Sequence, residues 1–184
     1  LDGVWTRWYT NGQKAEEGLY KDGKRRGNWN SWYKNLKKRY VSQYAEGKRS
    51  GIYREWNLRG KKVKDIEYSK GKRIREYLVI KDEDGFMEIN KLYGTLDGTW
   101  IKWYTDGKKE EEGEYKKGKK IGTWSRYNLT GVVVEEWNYD NLGRNLCEIT
   151  YYDNGTVKRY YDYFSKTIQE YNSDGSMKGD KFSF

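Results

Sequence analysis

The sequence predicts an all-β protein, an elongated antiparallel meander of about eight 24-residue β-hairpin repeats that form a solenoid-type array. Glycine and aromatic residues recur at a fixed step, and Asn-Gly or Asp-Gly turn signals separate short aromatic and β-branched runs. No segment shows the sustained apolar period of an amphipathic helix. Two strands per repeat, at a spacing of about 4.8 Å, advance such an array by about 10 Å.

The repeat is clearest in two blocks, residues 1–29 and 96–124, which align in register without a gap. Inside each block a shorter period of 24 residues is present. Its members are glycines, tyrosines and tryptophans: Gly3, Gly27, Gly51, Gly98 and Gly122; Tyr20, Tyr44, Tyr68, Tyr115, Tyr139 and Tyr163; and Trp8, Trp32, Trp56 and Trp103, followed by Tyr127 and Tyr151. We therefore divide the chain into repeats that begin near residues 3, 27, 51, 75, 98, 122, 146 and 166.

The first repeat shows how a hairpin forms. Val4–Thr10 is an aromatic and β-branched run that predicts a strand, and Gln13–Tyr20 predicts the return strand. Between them, Asn11-Gly12 is a dipeptide that readily takes the positive φ angles of a two-residue hairpin turn. A second turn is predicted at Lys21–Lys24. Because Trp5 and Trp8 are separated by an odd number of residues, a regular strand places them on opposite faces of the sheet.

Two repeats depart from the pattern. The fourth, Arg75–Asp97, keeps Tyr77 and a turn signal at Asp84-Gly85 but has no tryptophan. The last is short and ends in Phe182 and Phe184, as a terminal cap would. No Pro-rich or Ser-rich linker separates the repeats, so the sequence predicts one continuous array.

Composition excludes several classes of protein. Hydrophobic residues make up 35% of the chain and aromatic residues 17%, which argues against disorder and for a core of aromatic rings. The chain has no His and one Cys, Cys147, so a disulfide framework, the usual nucleophile pairs and most zinc sites are excluded. No apolar run reaches the about 20 residues of a membrane-spanning helix.

The remaining polar residues predict no catalysis and no cofactor. The carboxylates, such as Glu16, Glu17 and Glu110–Glu112, recur at one repeat position beside lysines, a pattern typical of cross-strand charge pairing. Calcium loops need closely spaced oxygen ligands, for which Asp82-Glu83-Asp84 is the local candidate. The sequence therefore predicts a protein that is not an enzyme.

The net charge of +9 is unevenly distributed. Residues 1–95 contain 23 Lys and Arg against 13 Asp and Glu, whereas residues 96–184 contain 14 against 15. We therefore interpret residues 1–184 as one array with a basic first half, which ends in the degenerate fourth repeat, and a charge-balanced second half. Much of the positive charge falls at turns, which a meander places along the two long edges of its sheet.

This basic, aromatic-rich half predicts a binding surface for another protein, one with an acidic surface. Trp, Tyr and Arg are enriched at binding hot spots, although each ring can instead pack within the array. The candidate partner-binding residues are Trp8, Tyr9, Lys24, Arg25, Arg26, Trp32, Tyr33, Lys48, Arg49 and Trp56. Two alternatives stay open: the lysines serve solubility alone, or the rings stack unpaired bases of a nucleic acid. Basic residues on both edges favour a protein over a nucleic acid.

The repeat resembles a known family. Gly3–Gly27 and Gly98–Gly122 best follow the pattern G-x-W-x-x-W-Y-x-N-G-x-K-x-x-E-G-x-Y-x-x-G-K-x-x-G. This pattern is similar to the MORN-variant repeat of bacteria, which occurs in YwqK-type antitoxins. The resemblance covers most of the chain and weakens in the fourth repeat and in the two C-terminal repeats.

The resemblance implies a β-hairpin array that acts as a binding scaffold and has no catalytic residues. With the charge confined to residues 1–95, it predicts an inhibitory, antitoxin-like protein that binds and blocks an effector or toxin. The alternative is an extracytoplasmic surface or envelope module that binds carbohydrate or protein. We favour a cytoplasmic location, but the chain begins at Leu1 rather than Met, which leaves an exported form open.

Overall fold

The structure, a computed structural model, describes residues 1–81 and 85–183. Within these residues it contains 16 β-strands, each hydrogen-bonded to the next along the chain, in an antiparallel meander. The strands are β1 (Gly3–Trp8), β2 (Lys14–Lys21), β3 (Lys24–Trp32), β4 (Lys38–Ala45), β5 (Lys48–Trp56), β6 (Lys62–Ser69), β7 (Lys72–Lys81), β8 (Gly85–Leu92), β9 (Thr95–Tyr104), β10 (Lys109–Lys116), β11 (Lys119–Tyr127), β12 (Val133–Tyr139), β13 (Asn145–Tyr151), β14 (Val157–Asp162), β15 (Thr167–Glu170) and β16 (Phe182–Ser183). The predicted all-β hairpin array is therefore confirmed.

The chain forms two compact units. The first comprises Leu1–Val79 and Asn90–Gly94, and the second comprises Ile80–Ile89 and Thr95–Phe184. The calcium candidate at 82–84, with the turn signal that begins at residue 84, and the terminal residue 184 lie outside the described residues.

Side chains alternate between two faces of the sheet. In the first unit Trp5 pairs with Gly18 on the surface that we call face 1, and the neighbouring residue of the return strand, Glu17, lies on face 2. Trp8 also lies on face 2, because Lys14, whose ammonium is 5.7 Å from the Trp8 ring centroid, bonds to Glu17. The prediction that the two tryptophans lie on opposite faces is confirmed.

A tryptophan that rests on a glycine forms the centre of face 1. Trp29 has 0% exposed surface, and its indole ring lies against the backbone of Gly18 in the adjacent strand. A Cβ atom at Gly18 would lie 2.1 Å from Cδ2 of that ring. Tyr20 packs edge-on against the ring at 5.1 Å, and Trp5 lies at 5.5 Å. The glycine of the repeated Glu-Gly-x-Tyr pattern thus leaves the space that the indole ring fills.

The second unit repeats this arrangement. Trp124 has 0% exposed surface and lies against Gly113, where a Cβ atom would be 2.1 Å from the ring. Tyr115 packs edge-on at 4.9 Å and Trp100 lies at 5.3 Å. The aligned sequence blocks therefore fold into the same aromatic cluster.

The two ends of the strands carry different connections. At one end, which we call the turn edge, two residues with positive φ join the strands, as Asp22 (52°) and Gly23 (70°) do. This geometry matches the twist of a hairpin and confirms the turn predicted at Lys21–Lys24. At the other end, the loop edge, the first unit has five-residue loops at 9–13, 33–37 and 57–61.

The predicted two-residue turn at Asn11-Gly12 is wrong. The Tyr9 N–H donates to the carbonyl of Gln13 at 2.8 Å, and the Gly12 N–H donates to the carbonyl of Tyr9 at 3.0 Å. Of the two turn residues, only Gly12 has a positive φ, of 80°. The physical reason is the Asn11 side chain, whose Oδ1 accepts a hydrogen bond from the Gln13 N–H at 3.2 Å and stabilises the wider loop.

Tyrosines at the loop edge join four of the repeats to the one that follows. The hydroxyl group of a tyrosine in one loop donates to a backbone carbonyl in the following repeat. These pairs, donor first, are Tyr9–Trp32, Tyr33–Trp56 and Tyr104–Tyr127 at 2.8 Å, and Tyr152–Tyr171 at 2.9 Å. The bonds satisfy carbonyl groups at the loop ends.

Other tyrosines donate to carboxylates. The pairs are Tyr40–Glu16 at 2.5 Å, Tyr53–Glu55 at 2.7 Å, and Tyr127–Glu112 and Tyr151–Glu136 at 2.6 Å. Burial and, next, the hydrogen bond to the carboxylate raise the pKa of each of these tyrosines. For Tyr127 the pKa is raised to about 12.

Replacing Gly18 with alanine tests the packing of Trp29. The added methyl group overlaps the indole ring, so we expect Gly18→Ala to lower the free energy of unfolding by about 1–3 kcal/mol. Denaturation in guanidinium chloride measures this. In a Trp29→Ala background the loss should be smaller, because the methyl group then has space.

A second glycine provides the control. Gly12 has a φ of 80° and nothing within 4 Å of a built Cβ atom, so Gly12→Ala has a conformational cost alone, of about 1 kcal/mol. That cost should be independent of Trp29. A Gly18→Ala loss that is the same with and without Trp29 would contradict the packing argument.

The pair Tyr127–Glu112 predicts a loss of stability at high pH. The Tyr127 pKa is about 12 in the folded protein and about 10 in the unfolded chain, so the contribution is complete below about pH 10 and decreases as the pH rises towards 12. In Tyr127→Phe the free energy of unfolding should therefore fall less steeply above about pH 10. Urea denaturation of the wild-type protein and of Tyr127→Phe between about pH 9 and 12 measures how the free energy of unfolding changes with pH. The same change with pH in both proteins would refute the prediction.

Candidate protein-interaction surface

Two of the predicted binding cations belong to the packing of face 1. The Arg25 guanidinium lies 3.9 Å from the ring centroid of Trp29. The Arg49 guanidinium lies 4.5 Å from the Tyr53 ring centroid and donates to the Tyr68 hydroxyl at 3.1 Å. Burial lowers the pKa of Arg49, but hydrogen bonds to tyrosine hydroxyls outweigh this effect and raise it. Both side chains are already in contact with the aromatic rings of the fold.

The other three predicted cations lie at the turn edge. Arg26 forms an ion pair with Glu46 at 3.3 Å, in which both side chains are exposed. Lys24 and Lys48 are exposed, and neither has an ion pair among the described residues. The Lys24 Cβ atom lies 3.6 Å from the position of a built Cβ at Gly47, so its stem packs on the next turn. The turn edge thus leaves two of the five predicted cations without an interaction partner.

The predicted tryptophans form a row on face 2, next to the loop edge. Each of them lies directly opposite a lysine of the return strand. The pairs are Trp8–Lys14, Trp32–Lys38 and Trp56–Lys62. The Lys14 ammonium lies between two tryptophans, 5.7 Å from the ring of Trp8 and 5.9 Å from that of Trp32. Trp8 remains 57% exposed. The row therefore alternates aromatic and cationic side chains.

Sequence reasoning missed the lysines of this row, although a signal for them exists. Each lysine follows its tryptophan by six residues, as Trp8 and Lys14 show, and the second unit has the same pair in Trp103 and Lys109. The register shift just before each pair places the two residues opposite each other. The six-residue spacing between tryptophan and lysine thus indicates a bulged hairpin.

The loops beside this row carry cations that form no ion pair with the described residues, although Arg39 is close enough to the Glu55 carboxylate to interact with it electrostatically. Five basic side chains of the second and third repeats have no ion pair among residues 1–81 and 85–183: Lys34, Lys37, Lys38, Arg39 and Arg59. Lys34 lies 5.9 Å from the ring of Tyr9, and Arg39 lies 5.8 Å from the ring of Tyr33. The two predicted tyrosines therefore serve as supports for cations, and their hydroxyl groups bind the next repeat.

Two exposed leucines lie at the tips of these basic loops. Leu36 is 62% exposed and Leu58 is 59% exposed. Leu36 has a φ of 66°, at the loop position where the neighbouring loops have Gly12 and Gly60. A left-handed conformation costs a leucine about 1 kcal/mol more than a glycine. Leu36 thus exposes an apolar side chain to solvent, and its backbone is in a strained conformation.

We call this region of the first unit the loop-edge surface. Its members are Trp8, Lys14, Trp32, Lys34, Leu36, Lys37, Lys38, Arg39, Trp56, Leu58 and Arg59. Aromatic, apolar and cationic groups are combined here, and five of the six cations form no ion pair among the described residues. Such a surface is suited to an acidic partner that also presents apolar side chains.

The described residues also bear on metal binding, on the cysteine and on membrane-spanning helices. No group of three or more His, Cys, Asp or Glu side chains there could hold a metal ion. Cys147 is partly buried, and its sulfur accepts a hydrogen bond from the Asn138 amide at 3.3 Å. No helix long and apolar enough to cross a membrane occurs in the part of the chain that the structure describes.

A family model for the MORN repeat variant matches three segments, residues 1–22, 96–117 and 120–141. The first two contain the hairpins β1–β2 and β9–β10, in which Gly18 and Gly113 accommodate the tryptophans. No curated protein matches the chain.

The solved structures that match part of the chain include two of TarM. One is a mutant of S. aureus TarM in complex with fondaparinux, α-GlcNAc-glycerol and UDP; it is 13% identical over 65% of this chain and 19% of that chain, with a TM-score of 0.29. The other, of TarM, is 13% identical over 72% of this chain and 21% of that chain, with a TM-score of 0.26. The chain spans about a fifth of the length of these proteins.

Replacing Leu36 with glycine tests the strain at the loop-edge surface. Glycine adopts a φ of 66° without a steric cost, so we expect Leu36→Gly to raise the free energy of unfolding by about 0.5–1 kcal/mol. Leu58 is the matched control, because it is equally exposed but has no positive φ. Leu58→Gly should lower stability by about 0.5–1 kcal/mol. Equal effects in chemical denaturation would rule out strain at Leu36.

Proposed function

We propose that this chain, three segments of which match the MORN repeat variant, is a non-enzymatic scaffold that binds an acidic protein on the loop-edge surface and inhibits it. The family supports the scaffold, since MORN repeats are generally protein-interaction modules. The inhibitory role, as in an antitoxin, follows from the likeness of the repeat to that of YwqK-type antitoxins. A rigid array that covers one surface of its partner blocks the activity of that surface.

The observation that carries the proposal is the group of uncompensated cations. Many cations of the first unit are in contact with rings or carboxylates, as Arg25 and Arg54 are. Four cations of the loop-edge surface have no acidic partner among the described residues, and they lie beside the row of tryptophans: Lys34, Lys37, Lys38 and Arg59. Like charges that lie close together repel one another, and an acidic partner removes that repulsion. Such charges also accelerate association.

The aromatic row supplies contacts that charge alone does not. Trp8, Trp32 and Trp56 lie on neighbouring hairpins of a hydrogen-bonded sheet, so their positions are held before a partner binds. Lys14 separates the first two rings and limits their movement. Binding therefore immobilises few side chains, which reduces its entropic cost. Tryptophan is also the residue most enriched among interface hot spots.

Reversing the charge of Lys34, Lys38 and Arg59 to glutamate tests the proposal. The tagged protein is used to capture proteins from its native cells at near-physiological salt, and retained proteins are identified by mass spectrometry. We expect an acidic protein that elutes at high salt and binds the triple variant at least about tenfold more weakly. Where that partner has a measurable activity, the wild-type protein should inhibit it and the variant should not.

The turn edge provides the control. Glutamate at Lys21, Lys24 and Lys48 changes the net charge by the same amount on exposed residues outside the loop-edge surface. This variant should bind the partner almost normally. An equal loss in both variants would show that net charge alone drives binding, and capture of nucleic acid alone would favour the nucleic-acid alternative.

A further inference from the structure

A cavity on face 1 of the second unit has no role in the proposed function. It has a volume of about 420 Å³, which lies within the size range of small-ligand sites. Its lining comes from β11 to β15 and from the chain that follows β15, and it includes none of the residues of the loop-edge surface. Ligand binding in this cavity is therefore independent of protein binding at the loop-edge surface.

The cavity arises from two side-chain differences between the units. In the first unit Tyr40 lies opposite Glu55, and its ring packs against Tyr53 at 5.8 Å. The aligned pair in the second unit is Glu135 opposite Thr150, at the same register of the sheet. With no tyrosine ring at this position, the face is open. The cavity therefore has a basis in the sequence.

The floor of the cavity is a row of polar side chains. Five residues lie directly opposite one another on successive strands, in the order Arg126, Glu135, Thr150, Arg159 and Glu170. Arg126 bonds to Glu135, and Arg159 forms an ion pair with Glu148, outside the cavity, at 3.9 Å. The Glu170 carboxylate has no ion pair among the described residues. The floor thus offers a carboxylate, a hydroxyl group and a guanidinium to a ligand.

The rim adds rings and ammonium groups. The Tyr152 hydroxyl donates to the carbonyl of Tyr171 at 2.9 Å, which connects two sides of the rim. The Lys158 ammonium lies 5.7 Å from the Tyr152 ring centroid. The Lys178 backbone N–H donates to the carbonyl of Glu170 at 2.8 Å, which fixes this residue beside the floor. Neither lysine forms an ion pair with a carboxylate among the described residues.

We propose that this cavity binds an anionic saccharide, a sugar that carries a phosphate or carboxylate group. The negative group is held by Lys158, Lys178 and Arg159, which form charge-assisted hydrogen bonds. The sugar hydroxyls donate to the Glu170 carboxylate and bond with Thr150, because carboxylates accept two such bonds readily. The apolar face of the sugar ring packs on a tyrosine ring of the rim.

The composition of the lining excludes simpler ligands. A free inorganic anion would lie close to the carboxylates of Glu135 and Glu170, which repel it. An apolar ligand would remove water from four cations and two carboxylates without replacing their hydrogen bonds. A neutral sugar leaves the ammonium groups unpaired. A ligand with both hydroxyl donors and a negative charge meets all of these requirements.

Calorimetric titration of the full chain tests the proposal. The probes are glucose 6-phosphate and glucuronic acid, and the comparison ligands are glucose and inorganic phosphate. We expect at least one of the two anionic sugars to bind one site with a Kd at or below about 1 mM, and both comparison ligands to bind at least about tenfold more weakly. Failure of both anionic sugars to bind, or equal binding of phosphate alone, would overturn the proposal.

Variants locate the site. Lys158→Ala with Lys178→Ala should weaken binding by about tenfold or more, because two charge-assisted hydrogen bonds are lost. Lys116→Ala with Lys181→Ala removes the same charge from exposed residues outside the lining and should leave affinity unchanged. Thr150→Tyr, which places a ring in the cavity, should abolish binding while the circular dichroism spectrum is retained. Binding that persists in Thr150→Tyr, or equal losses in the two lysine pairs, would contradict this location.

Discussion

An indole ring that lies directly on a glycine backbone is the contact on which the fold depends. The described strands belong to one sheet, so burial must come from side chains that lie along the sheet rather than from a second layer. Gly18 provides the space, and Trp29 is fully buried there without covering by another element. The edge-on tyrosine and the guanidinium of Arg25 then cover the rest of the ring. Arrangements of this kind explain how a chain with only 35% hydrophobic residues forms a stable core.

The same contact separates two kinds of cation. A basic residue whose side chain extends along face 1 becomes part of the aromatic packing, and its charge is compensated by ring electrons and hydroxyl groups. Lys34, Lys37 and Arg59 of the five-residue loops lie outside this packing and are exposed, although Lys34 lies 5.9 Å from the Tyr9 ring centroid. The surface that we propose for binding therefore depends less on where positive charge is abundant than on which cations the fold leaves without an acidic partner among the described residues. In the second unit, the loss of one ring has the opposite effect and opens the face to a ligand.

Local signals predicted the fold well, because a 24-residue step and turn glycines report directly on hairpins. The residues of the loop-edge surface could be predicted from the sequence only in part. Arg25 and Lys38 are both basic residues near turns, and their difference depends on whether the side chain shares a face with Trp29. The face on which a side chain lies depends on the register shifts of the strands, and no single residue determines these shifts. The width of the loop at Asn11-Gly12 was missed for a related reason, since the asparagine side chain replaces a backbone acceptor.

The bonds from loop tyrosines to the next repeat have a consequence for how such chains evolve. The acceptor is a backbone carbonyl, which every residue possesses, and it belongs to tryptophan in the first unit but to tyrosine in the second. Selection is therefore free to change the acceptor side chain without weakening the junction. A duplicated hairpin inserted after any loop finds a compatible neighbour at once. Arrays of this design can lengthen, shorten and diverge in sequence while the junctions that contain a loop tyrosine keep their hydrogen bond.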